Sequence, residues 1–353
     1  MNNTRPLSRT NVRNHPLELI VACSCLILAM LVFSGCEEEM EVGQAPPLNE
    51  ANLTDPATKR SIAVQAVRDG LTDQSPVVRS NAIEVVVKTR LTRLLPTVQK
   101  LMNDATAPVR FAAVVAVGDL EYALAQSEVE QLLRDPDPNV RLAASYAMAK
   151  LGSPEYGRVL YKAITSKDQT VRANAALLLG KMGDPAALKE LYAALTADDS
   201  ADKVVYQAAE SIARLGDERI YPKLWTMLIS AYADVRVMGV LSMGLLGNND
   251  AKDALVGMLD DDVLEVRLAA AKELGTLGER IGEPQVLAVF EKDLLADLGK
   301  AERQRAAVLT ALAIGEIGSP GLTKHLTQML QDQFKLIRLA AAKAILQTTP
   351  AQT

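Results

Sequence analysis

Acidic and basic side chains recur at a fixed spacing along this chain. An apolar residue followed by arginine appears at Val78-Arg79, Val109-Arg110, Val140-Arg141, Val171-Arg172, Val235-Arg236, Val266-Arg267 and Ile337-Arg338. Six residues ahead of the arginine position stand Asp73, Asp104, Asp135, Asp199, Asp261 and Asp332. Paired carboxylates can run acid–base hydrolysis, but only where one desolvated pair has its pKa values driven apart. A feature written six times offers no such unique site. An aspartate just ahead of a helix caps its free amides and complements its dipole instead. The other chemistry-bearing residues are few: His15 and His325, with Cys23, Cys25 and Cys36. A Ser-His-Asp triad or a multi-histidine zinc site has little to draw on. Gly118, Gly180, Gly244, Gly275 and Gly315 follow no strand and form no phosphate-binding fingerprint. No catalytic residue, metal site or cofactor is therefore expected.

The elements that carry these residues are copies of one unit. The arginines recur every 31 residues, and the longer intervals of 64 and 71 each conceal a divergent copy, with Val205 and Ala307 in the arginine position. Nine copies result. Three places after the arginine position sit Ala82, Ala113, Ala144, Ala175, Ala208, Gly239, Ala270, Thr310 and Ala341, small enough for two helices to approach closely. Seven places after it all nine residues are large and apolar, from Val86 to Ile345. Offsets of three and seven share one helical face, so these columns are core. Gly152, Gly183, Gly216, Gly247, Gly278 and Gly318 stand eleven places on, as left-handed helix caps. Each unit is a helical hairpin that cannot bury its apolar face alone, so neighbours must stack on it. Unit eight carries extra residues within 278–306, read as a lengthened first helix from Pro284 to about Lys300.

The motif is clearest at Asp135-Pro136-Asp137-Pro138-Asn139-Val140-Arg141-Leu142-Ala143-Ala144, followed by a Leu-Gly pair. It resembles HEAT repeats, and more narrowly the HEAT-like repeats of phycobilisome lyases. The resemblance covers about residues 56–347. It implies an all-α fold, a right-handed α-solenoid (an α-α superhelix) of about nine hairpins. It further implies that Asp73, Arg79, Asp104, Arg110, Asp135, Arg141, Arg172, Asp261, Arg267, Asp332 and Arg338 form a structural ladder along the stack.

The N-terminus reads as an export signal. Arg5, Arg9 and Arg13 precede an apolar run from Leu19 to Phe33, broken only by Ser24. At 15 residues it is short of the roughly 20 that a membrane-spanning helix needs. Ser34-Gly35-Cys36 then resembles the lipobox of bacterial lipoproteins, with Phe33 where leucine is usual. The resemblance implies cleavage before Cys36 and acylation of its thiol, which leaves no cysteine for a disulfide. Residues 1–35 are thus assigned as signal peptide, 36–55 as an acidic, proline-containing tether, 56–347 as solenoid and 348–353 as tail. The expected address is the cell envelope, lipid-anchored on the periplasmic face, with Glu37 after the cysteine favouring the outer membrane.

Composition narrows the partner. With 38 basic against 43 acidic residues, the formal net charge is −5, against the basic face that nucleic acid requires. A protein partner and the membrane through Cys36 remain. Within the second helices, Tyr146, Leu177, Met238, Leu241, Leu245, Leu309 and Leu312 fall off the core columns, and they are read as an exposed partner patch on the concave side. Trp225, the sole tryptophan, is read as core, and His325 as a solvated helix residue. The expected function is a non-enzymatic, membrane-tethered scaffold or adaptor for proteins. The alternative is an accessory protein or enzyme resembling bilin lyases.

Overall fold

A computed structural model describes residues 55–349. Among them every regular element is helical, in nine successive hairpins. The second helices of the hairpins, longer than the first in every unit but the first, are α2 (Pro76–Thr89), α4 (Ala107–Asp119), α6 (Pro138–Lys150), α8 (Gln169–Met182), α10 (Asp202–Arg214), α12 (Ala233–Leu246), α14 (Leu264–Thr276), α16 (Lys300–Ile317) and α19 (Lys335–Thr348). Their partners are α1 (Pro56–Leu71), α3 (Leu95–Leu101), α5 (Gln126–Leu132), α7 (Arg158–Ala163), α9 (Leu188–Thr196), α11 (Tyr221–Leu228), α13 (Asn249–Gly257) and α15 (Glu283–Glu291). The ninth hairpin has two short pieces, α17 (Pro320–Thr323) and α18 (Leu326–Met329).

The columns explain the elements. All nine small residues three places after the arginine position lie inside, as do all nine large ones at seven places. The six column glycines all adopt positive φ, from 63° at Gly247 to 106° at Gly152. At these positions the chain reverses out of a long helix, where a Cβ would be strained. The glycines at eight places serve closeness. A Cβ built on Gly315 would lie 2.9 Å from the Ala344 Cα on the next long helix.

The stack closes on itself. Each long helix packs on the next, and α19 packs on both α1 and α2. Lys335 Nζ pairs with Asp73 Oδ1 at 3.0 Å across this seam. Arg60 Nη1 donates to the carbonyls of Thr349, at 2.6 Å, and Leu346, at 3.2 Å. Gly70 lies against Leu339. The solenoid is therefore a ring, with the second helices of the hairpins as its inner wheel and the first helices outside.

The insertion in unit eight falls elsewhere than expected. The first helix, α15, ends at Glu291, because Asp293 takes positive φ (49°) and the Leu294 amide turns back to the Val289 carbonyl. The extra length goes into the turns that follow and into α16, the longest helix among those described.

Candidate interaction surfaces

Four of the repeated arginines, Arg79, Arg110, Arg172 and Arg236, fasten their own unit to the next. Arg79 Nη1 donates to the carbonyl of Asp73 in its own unit, at 2.7 Å. Its Nε and Nη2 reach Asp104 of the following unit in a two-pronged contact at 2.8 and 2.9 Å. Arg110 grips Asp135 in the same way, and Arg236 grips Asp261. Arg172 holds Asp199 with both terminal nitrogens, at 2.9 Å each. Arg141, Arg267 and Arg338 donate to the carbonyls of Asp135, Asp261 and Asp332. The aspartates also accept the amide two residues on, as Asp135 does from Asp137 and Asp332 does from Phe334. Burial pushes the carboxyls of Asp104, Asp135 and Asp261 up. Hydrogen bonds from arginine and backbone outweigh it, and all three end below the usual aspartate range. At the seam Asp73 takes Lys335, so this belt of charge passes across the closure.

The inner wheel is lined with its own partners. Tyr146 Oη donates to Asp119 Oδ1 at 2.6 Å, and Lys181 Nζ pairs with the other oxygen at 2.8 Å. Lys181 is on α8 and Asp119 on α4, so the pair skips α6. Only the inside of a tight curve permits that. Burial first, and the Asp119 charge second, raise the Tyr146 hydroxyl far above its ordinary pKa. Arg214 pairs with Glu210 at 2.7 Å, Lys272 with Glu273, and Lys343 with Glu316 at 3.4 Å.

This geometry corrects the expected partner patch. Tyr146, Leu177, Leu309 and Leu312 are at most 2% exposed, Leu241 is 4% and Met238 is 5%. Leu245 is half-buried. In the closed ring these residues belong to the continuous buried core or pack against it. The cations expected to rim the patch, Lys181, Arg214 and Lys272, are engaged with the acids named above. No apolar docking surface exists there in the closed ring.

Trp225 is corrected in the opposite direction. It is 44% exposed on α11 and stacks on Tyr221, with ring centroids 6.3 Å apart. One turn on, Ile229 is 65% exposed, and Tyr232 follows in the connecting turn, also exposed. The buried stripe of α11 is Leu224, Met227 and Leu228. The helix thus carries two apolar stripes where packing needs one. That second stripe, read as Tyr221, Trp225 and Ile229 at intervals of four, was the sequence signal for this surface. Beside it, the exposed face of α13 carries Asp250, Asp253 and Val256. Toward α9, Arg219 pairs with Asp217 and lies 5.3 Å over the Tyr192 ring.

His325 precedes α18 and stacks on Phe290 with ring centroids 3.8 Å apart, and burial followed by the Lys324 charge lowers its pKa. Among the described residues, no group of three or more His, Cys, Asp or Glu is arranged to hold a metal, and no helix is long and apolar enough to cross a membrane. Cys36, the lipidation site, and its tether lie outside the described residues, apart from Asp55, whose carboxylate caps α1 through the Thr58 amide.

A family profile for HEAT repeats matches residues 95–169, 125–213, 157–237 and 221–310, together more than half of the chain. No curated protein matches by sequence. Among solved structures, the complex of CpcE and CpcF of phycocyanin lyase from Nostoc sp. PCC7120 is 18% identical, with a TM-score of 0.43. It covers 79% of this chain and 98% of that one. Human deoxyhypusine hydroxylase in complex with glycerol is 18% identical with a TM-score of 0.36, over 74% of this chain and 97% of that one. A Kap121p mutant is 13% identical with a TM-score of 0.33, over 89% of this chain and 38% of that one.

Proposed function

Since the chain belongs to the HEAT-repeat family, we propose that it is a non-enzymatic protein-binding scaffold, held at the cell envelope by a lipid on Cys36. The observation that carries the binding role is the uncovered stripe on α11, Trp225 with Ile229 and then Tyr232, three large exposed side chains close together in sequence. Large apolar side chains left in water forgo about 1.5–3 kcal/mol each, which a docked partner recovers. Tryptophan and tyrosine are also the residue types that dominate interface energetics.

The anchoring role rests on the order of features before the ring. A basic stretch, an apolar run too short to span, and Ser34-Gly35-Cys36 are followed by an acidic segment with Pro46-Pro47, the composition of a tether. The address is the periplasmic face, with the outer membrane favoured. Two measurements test the reading. Cys36→Ala should release the protein from the membrane fraction, and unchanged fractionation removes the lipid anchor. Purified protein lacking residues 1–35 should recover a stoichiometric protein partner from detergent-solubilised membranes, and the Ile229→Asp variant should not.

A further inference from the structure

We propose that the α11 surface takes a protein segment with an apolar core flanked by lysine or arginine. This rests on the scaffold reading and goes beyond it by stating the chemistry of the partner. The centre of the surface is apolar and aromatic: Trp225 stacked on Tyr221, Ile229 a turn further on, and Tyr232 after it. The surroundings are acidic on both sides. On α13, Asp250 and Asp253 project on one exposed face, and both charges act on the Tyr221 ring. On the other side, Asp234 stands two residues from Tyr232. Lys223 on α11 is the exposed cation of the surface, and the other nearby cations are engaged. Arg219 is paired with Asp217, Lys203 donates to Thr170 and Lys252 is paired with Glu279.

An apolar centre sets affinity, whereas charges at the rim set which partners approach and in what register. An acidic rim repels the anionic surface of a bilayer and any acidic protein. It also repels a second copy of this chain, whose own patch has the same sign. A segment with positive flanks is drawn in, most strongly at low salt because the rim is exposed to solvent.

Trp225 is the only tryptophan, so emission excited selectively from tryptophan reports this surface alone. The test titrates the chain lacking residues 1–35 with two synthetic peptides that share a leucine–phenylalanine core, one with lysine flanks and the other with glutamate flanks. The lysine-flanked peptide should shift Trp225 emission to the blue and bind at least about tenfold more tightly. Its advantage should shrink with added salt. Ile229→Asp should abolish the shift, and Asp250→Asn with Asp253→Asn should erase the preference for lysine flanks. All three positions are exposed, so helicity should be unchanged. Equal binding of both peptides overturns the proposal, as does an emission that neither peptide changes. A shift driven by phosphatidylethanolamine–phosphatidylglycerol vesicles, or by raising the protein concentration alone, overturns it in favour of a bilayer or a second copy. If membranes yield a partner that Ile229→Asp loses, yet neither peptide binds, the scaffold stands and the chemistry proposed for its partner fails.

Discussion

The inner and outer wheels of this ring solve different problems with the same alphabet. An inner helix such as α12 packs on both neighbouring inner helices and against the short helices outside, so its burial runs almost all round, from Val235 through Met238 and Leu241 to Leu246. An outer helix such as α11 needs one buried stripe, and Leu224, Met227 and Leu228 supply it. Apolar residues on an inner helix are therefore spent on assembly whatever face they occupy. On an outer helix, an apolar residue beyond the stripe is surplus, and Trp225 and Ile229 are that surplus. In a closed ring, the surface available for recognition is found on the wheel whose helices bury only one stripe.

The contrast is broken most severely from the inside. Leu241→Glu places a carboxylate where the side chain is 4% exposed, and an unpaired charge at such a site should cost about 4 kcal/mol or more. Its urea midpoint should fall far below that of the parent, or the ring should not assemble. A parent-like midpoint would mean that the inner face opens to solvent.

Cutting a rung of the charge belt comes next. Asp135→Ala strips Arg110 of both its prongs and leaves the Asp137 amide without its acceptor, at a cost of about 3 kcal/mol by urea unfolding. The same belt sets the acid response. Because the native carboxyls of Asp104, Asp135 and Asp261 lie below the unfolded aspartate value of about 3.9, the unfolded chain binds more protons in this range. Stability is thus full above about pH 4 and falls as the pH drops through the native values. Urea midpoints measured between pH 7 and pH 3, roughly spanning that window, should show the loss, and Asp135→Ala should flatten it.

The seam is a milder test. Lys335→Ala removes a partly exposed pair with Asp73 and should cost about 0.5–1 kcal/mol, with the ring kept closed by α19 on α1 and α2. Small-angle scattering should give an unchanged radius of gyration. An expanded particle would show that this one pair holds the closure. The smallest effect belongs to the outer stripe, where Ile229→Asp should move stability by no more than about 0.5 kcal/mol while removing partner binding.

Much of this was legible in the residues, and the reasons for the rest are physical. The hairpins follow from periodicity, and the turns follow from glycines that alone accept positive φ cheaply, as at Gly183 and Gly318. The pairing of Arg79 with Asp104 follows the repeat interval, since both belong to the repeating columns. Closure does not follow in this way. It is the sum of nine small rotations between neighbours, and no single joint encodes it. With closure unseen, Tyr146, Leu177 and Met238 read as surface when they are core. Trp225 failed for the converse reason, because residue type says how apolar a side chain is and not whether a second stripe lies opposite the first. In unit eight, Pro284 starts a helix, but the reversal at Asp293 depends on a non-glycine residue taking φ 49°, for which composition gives no warning.

The contact of Arg60 with the Thr349 carbonyl has one more consequence. It brings the first and last turns of the ring side by side, so residues 55–349 form a circle with no privileged starting point. Joining those ends through a short linker and opening the chain at another interunit turn, such as Gly216-Asp217, would leave the same neighbours around the circle in a different written order. An open array of repeats frays from its two terminal members and needs each of them capped. A circular one offers unfolding no end from which to begin.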